Sequence, residues 1–142
     1  DVVCADRGER LETLLGSCVA VVLTDRRRTI GAMCHIVHSH SACGPTDNPG
    51  AFADCAVDTM YRLLRDRGFS PKLCDAFVYG GGNMFPSLVA GPHVGERNGR
   101  TVLDRLQLDG VRVIEVDLGG SNYRRVSWNI GPDLPNVTAV AV

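Results

Sequence analysis

The sequence predicts a mixed α/β fold in a single domain, and three observations carry that prediction. Strand-like and helix-like segments follow one another in the order β-β-α-β-α-β-β-β. The 142 residues match the common size of one domain and are too few for two well-buried cores. With 44% hydrophobic and 22% charged residues, the composition is that of an ordinary globular domain. It excludes a disordered, collagen-like or highly charged tail protein. No internal repeat or linker interrupts the chain.

Each element has its own local reason. Residues 17–23 are small and β-branched, the pattern of a buried strand. Asp25-Arg26-Arg27-Arg28 is a polar break, read as a solvated turn, and residues 29–37 form a second strand-like run. Residues 38–50 are rich in His, Ser, Gly, Pro, Asp and Asn and read as a loop. Asp47-Asn48-Pro49 offers a helix start with an Asx cap and an early proline. Phe52, Cys55, Ala56, Met60, Leu63 and Leu64 then recur at helical spacing until Gly68 stops the helix. Residues 74–79 are a strand running into Gly80-Gly81-Gly82. Val102, Leu103 and Leu106 mark a second helix over residues 97–108, closed by Gly110. Residues 111–116, 123–129 and 137–142 supply the remaining strands.

Charge and cysteine content narrow the function classes. The net charge of -1 gives no reason to expect nucleic acid or an anionic membrane surface as partner. The longest apolar run, residues 19–23, is far short of the roughly 20 residues that cross a bilayer. No signal-peptide pattern is visible. The six cysteines form no CxxC pair and fall below the density of a disulfide scaffold. A cytoplasmic protein with reduced thiols is therefore expected, although an even count leaves disulfides open.

The first two strands point to a site. An antiparallel hairpin centred between Arg26 and Arg27 pairs residues whose numbers sum to 53. Leu23 then faces Ile30, Val21 faces Ala32, and Cys18 faces His35. Opposed residues share a face, with Cβ atoms about 4.5–5.5 Å apart. An imidazole beside a thiol promotes the nucleophilic thiolate and later protonates a leaving group. Gly16 and Ser17 leave space for a substrate. The competing reading is a buried core thiol beside a satisfied strand histidine. Arg-Arg is not a favoured two-residue turn, and an odd loop shifts the register by one.

The motifs settle the comparison. Residues 14–21, Leu-Leu-Gly-Ser-Cys-Val-Ala-Val, and residues 31–35, Gly-Ala-Met-Cys-His, resemble the chemoreceptor glutamine deamidase family, CheD. Gly80-Gly81-Gly82-Asn83-Met84-Phe85, Gly95-Glu96-Arg97-Asn98, and Asp117-Leu118-Gly119-Gly120 leading to Arg124-Arg125 match the same family in order. The resemblance implies a layered α/β/β domain similar to the catalytic domains of bacterial toxin deamidases. It implies hydrolysis of receptor glutamine side chains to glutamate and ammonia, and in some members of glutamate methyl esters. The family nucleophile maps onto Cys18 and its histidine onto His35. Chemoreceptors are the implied substrates, and a CheC-type phosphatase is a known partner class. No cofactor or metal is required.

Two departures stand out. The family threonine six positions before the cysteine falls on Glu12, which reads either as the orienter of the imidazole or as a solvated residue near the chain start. Thr13 is adjacent and, by strand alternation, points to the opposite face. After His35 the chain departs again, and Cys34, His35, His38, His40 and Cys43 together suggest a metal set, although no standard finger spacing is present. They are read as loop and strand residues. Gly80-Gly81-Gly82 lacks the later glycine or the Lys-Ser/Thr of nucleotide loops. Gly81, Gly82 and Asn83 are instead expected to wall the substrate cleft, with Arg124 alongside. Arg124 and Arg125 are candidates for steering an acidic receptor helix. Glu12 keeps a second function class open, a non-catalytic module that engages a receptor or a CheC-type phosphatase.

Overall fold

The computed structural model describes residues 2–38, 52–84 and 93–140. Its elements are β1 (Val2–Asp6), β2 (Arg10–Leu15), β3 (Val19–Asp25), β4 (Ile30–Ile36), α1 (Ala53–Asp66), β5 (Cys74–Gly80), α2 (Val94–Leu108), β6 (Arg112–Leu118), β7 (Tyr123–Asn129) and β8 (Asn136–Val140). The predicted strands and helices are present among the described residues, and β1 and β2 come in addition. The proposed cap at Asp47-Asn48-Pro49 lies outside the described residues. Gly68 ends α1 as expected. With a φ of 87° it lets Phe69 N–H reach back to Leu64 O at 2.9 Å. The second helix begins three residues before its expected start, with the His93 ring accepting from Glu96 N–H.

The strands form two sheets. One has five strands in the order β1-β4-β3-β5-β6, antiparallel except for β5 and β6; the other has three in the order β2-β7-β8. Strand alternation gives the five-stranded sheet two apolar faces. Val21, Leu23, Ala32, Cys34, Ala76 and Val78 meet α1 and α2 through Met60, Leu64, Val102 and Leu106. On the other face Ala20, Val22, Met33, Phe77 and Tyr79 meet Leu11, Leu15, Val126 and Trp128 of the smaller sheet. The layers are thus helices, sheet, sheet, the α/β/β arrangement that the resemblance implied.

The β3–β4 hairpin corrects the expected register. Ala20 opposes His35, Val21 opposes Cys34 and Leu23 opposes Ala32, so paired numbers sum to 55. The cause is the turn. Asp25 Oδ1 accepts from the N–H groups of Thr29 (2.7 Å) and Ile30 (3.0 Å), and Arg28 N–H donates to Asp25 O at 3.0 Å. Arg28 takes a φ of 57°, which closes a four-residue loop instead of a two-residue turn. Arg28 is not a solvated turn residue either. It donates to Asp75 at 2.8 Å and its side chain is only 18% exposed. A shift of two moves every pair but leaves every side chain on its face.

Cys4, Cys18, Cys34 and Cys74 are free thiols. Cys55 on α1 is disulfide-bonded, which corrects the expectation of reduced thiols throughout. No helix among the described residues is long and apolar enough to cross a membrane.

Candidate active site

Three strands bring the reactive groups together at one end of the inter-sheet core. His35 lies on β4 opposite Ala20, and Cys18 sits two residues beyond Ala20, just before β3 begins. Cys18 and His35 therefore share the face that looks toward the smaller sheet, as diagonal neighbours, and Cys18 packs against the core on that side. Both are half-buried. Burial pushes the Cys18 thiol above its ordinary range and holds the His35 imidazole below its own. At neutral pH the resting pair is a thiol and a neutral ring.

The third group comes from β2, the strand that composition did not announce. Leu11, Thr13 and Leu15 alternate inward on β2, while Arg10, Glu12 and Leu14 face out. Thr13 Oγ1 lies 2.9 Å from His35 Nδ1. Glu12 cannot serve as the orienter expected of it. Its side chain is on the outer face of the sheet, 41% exposed, with Arg10 Nε at 3.3 Å and Arg125 Nη1 at 3.5 Å. The side chain that meets the His35 ring is that of its neighbour Thr13, five residues before the cysteine. The period-two pattern Leu11-Thr13-Leu15 is the signal that distinguishes the two.

The glycine loop backs Cys18. Gly81 N–H donates to Cys18 O at 2.8 Å, and Gly82 N–H donates to Gly16 O at 3.0 Å. Gly80 has a φ of 110°, and a Cβ there would lie 2.2 Å from Cys18 O. Only glycine permits that approach. Asn83 N–H donates to Gly120 O at 2.8 Å, joining the loop to the chain before β7.

Arg124 differs from its expected role. Its guanidinium donates to Gly80 O at 3.1 Å and Gly119 O at 2.7 Å, and it pairs with Asp117 at 3.3 Å. The side chain is 12% exposed, so it pins two glycine turns and presents no free charge to a receptor. Arg125 is occupied with Glu12. A cavity of about 420 Å³ lies on the helix side of the loop, lined by Gly81, Gly95, Gly99, Leu103 and Leu118; neither Cys18 nor His35 lines it. Of the suggested metal set, His40 and Cys43 lie outside the described residues. Cys34 faces the helices, away from His35, with its thiol pushed up to about 12 by burial.

A thiol, an imidazole on the same face and a hydroxyl on one ring nitrogen are the parts from which cysteine-dependent acyl-transfer sites are built. The comparisons with known proteins bear on which kind. The family model described as CheD chemotactic sensory transduction matches residues 38–132. Chemoreceptor glutamine deamidase CheD of Thermotoga maritima is 39% identical over 116 residues, which cover 82% of this chain and 72% of that protein. A probable chemoreceptor glutamine deamidase CheD of Methanococcus vannielii is 35% identical over 126 residues, covering 89% and 82%. Another from Pseudomonas syringae is 31% identical over 133 residues, covering 92% and 75%. The chain belongs to the CheD family.

Proposed function

We propose that this protein is a protein-glutamine deamidase acting on chemoreceptors in chemotaxis, with Cys18 as nucleophile and His35 as base and acid. The relatives' names support the reaction, and the Thr13–His35 contact is the observation that carries the residue roles. In this reading the ring takes the tautomer in which Nδ1–H donates to Thr13 Oγ1, leaving Nε2 unprotonated and available to the thiol. His35 takes the thiol proton as sulfur attacks the amide carbon. The carbonyl oxygen gains charge and is stabilised by donors such as the Cys18 N–H. The imidazolium then protonates the departing nitrogen, so ammonia leaves and a thioester forms. Water, losing a proton to His35, attacks the thioester and releases glutamate and the thiol. A methyl ester passes through the same acyl intermediate, with methanol in place of ammonia.

The substrate is a glutamine on a folded or helical receptor segment, since its side chain reaches only a few bonds into a shallow cleft. The site acts in the cytoplasm, where receptor signalling domains lie. With Thr13 holding the ring, the departure at Glu12 no longer favours a non-catalytic module. Co-expression with a chemoreceptor, followed by mass spectrometry of its glutamine peptides, tests the reading. The wild type should convert amide to acid, and Cys18→Ala should not while remaining folded. Conversion by Cys18→Ala at the normal rate would remove Cys18 from the mechanism.

A further inference from the structure

The hydrogen-bond ladder between the nucleophile strand and the histidine strand ends at Val19 and Ile36. Cys18 therefore sits just past the last rung with the histidine strand, where the backbone bond from Gly81 N–H still holds its carbonyl but no bond to β4 does. A side chain takes over at that point. Asn98, fully buried on α2, donates from Nδ2 to Val37 O at 3.0 Å and to Ser17 O at 3.4 Å. One amide thus spans the two strand ends, touching the residue before Cys18 and the residue two after His35.

The helix is shaped to make this reach. Gly95 packs so closely on the glycine loop that a Cβ would lie 2.5 Å from Gly81 C and from Gly82 O. A Cβ on Gly99 would lie 3.0 Å from Leu118. With Asn98 included, three successive carbonyls around the nucleophile, those of Gly16, Ser17 and Cys18, are each held by a donor from this loop or helix. The peptide between Ser17 and Cys18 is planar, so fixing Ser17 O also fixes the opposite direction of the Cys18 N–H.

The amide is retained at a cost. Asn98 Oδ1 is buried with no hydrogen-bond partner among the described residues. Turning the amide over would set Oδ1 against two carbonyls, so the orientation is forced. A buried acceptor left unsatisfied is unfavourable and calls for a reason. We infer that Asn98 is a positioning residue for the deamidation step, holding Cys18 and its N–H in register with His35. The inference rests on the proposed function and goes beyond it by adding a residue that touches neither substrate nor the reacting pair.

The test combines kinetics with thiol titration, below the unfolding temperature of every variant. Asn98→Ala and Asn98→Ser should lower kcat for receptor deamidation about tenfold or more, with KM within about threefold. The pH profile for Cys18 alkylation by iodoacetamide should also change, because thiol and imidazole are no longer held together. A purely structural role lowers the unfolding temperature and leaves both readouts in place, and that result would overturn the inference. If neither variant folds, NMR of the wild type decides. The Asn98 side-chain amide should exchange slowly and shift when Cys18 is alkylated; fast exchange with no shift refutes the role. An active Cys18→Ala removes the deamidase mechanism itself. An inactive Cys18→Ala beside fully active Asn98 variants removes only Asn98.

Discussion

Thr13→Val removes one hydroxyl and nearly conserves volume, so it isolates the contact with His35. In the wild type the hydroxyl meets Nδ1 of a half-buried ring at 2.9 Å. Without it, the ring N–H is left without a partner, at a cost of about 1–3 kcal/mol. The ring can recover part of this by turning or by moving its proton to Nε2, and either change takes the base away from Cys18. At about 1.4 kcal/mol per factor of ten, the rate of receptor deamidation should fall roughly 5- to 100-fold. Thr13→Ser, which keeps the hydroxyl, should recover most of the rate. The internal control is Glu12→Gln. Its exposed pairs with Arg10 and Arg125 are of the kind worth about 0–1 kcal/mol to stability, and they do not reach the ring. The measurement is kcat from the time course of amide-to-acid conversion in receptor peptides. A Glu12→Gln protein slower than Thr13→Val would refute the assignment of the orienter.

Two more outcomes follow from the same geometry. Burial lowers the His35 pKa below its ordinary 6.5, so the neutral base survives to lower pH, and the acid limb of kcat/KM should fall below pH 6.5; a limb above that value contradicts the buried neutral ring. Gly80→Ala sets a methyl against Cys18 O at a positive φ, which should cost about 1–3 kcal/mol or more of stability and abolish activity, whereas Gly8→Ala, also at positive φ but with no atom within 4 Å, should stay active; equal activity in thermal-melt-matched samples would deny the clash its role.

The fold was legible in the sequence where periodicity was clean. Residues 123–129 are the strand expected there, and the helices end at the glycines that favour left-handed backbone. Cys18 and His35 still share a face despite the error in register, because the error was an even number of residues. An error of one would have separated them onto opposite faces. β2 was harder to see, since Leu14 faces out beside Leu15, which faces in, and two adjacent leucines blur the alternation. That strand carries Thr13, so the orienter went to the wrong neighbour. Arg124 illustrates a different limit. A guanidinium satisfied by backbone carbonyls looks the same in sequence as a solvated one, because its acceptors exist only after the glycine turns have formed. Asn98 was visible within its motif, but its acceptors belong to two distant strand ends.

The pairing of β2 with β7 has a consequence for when the thiol becomes dangerous to its surroundings. The hairpin carrying Cys18 and His35 is complete once β4 has been synthesised, yet β2 finds its neighbour only when β7 emerges, and Arg10 meets Asn129 across a sequence separation of 119. Such distant closure comes late, after local structure has formed. A nascent chain therefore holds Cys18 and His35 while the strand that carries Thr13 is still unpaired. Thr13 is held in its sheet only once β2 and β7 have paired. Proteolysis just ahead of β7 would remove the partner strand of β2 while leaving Thr13, Cys18 and His35 all in the chain.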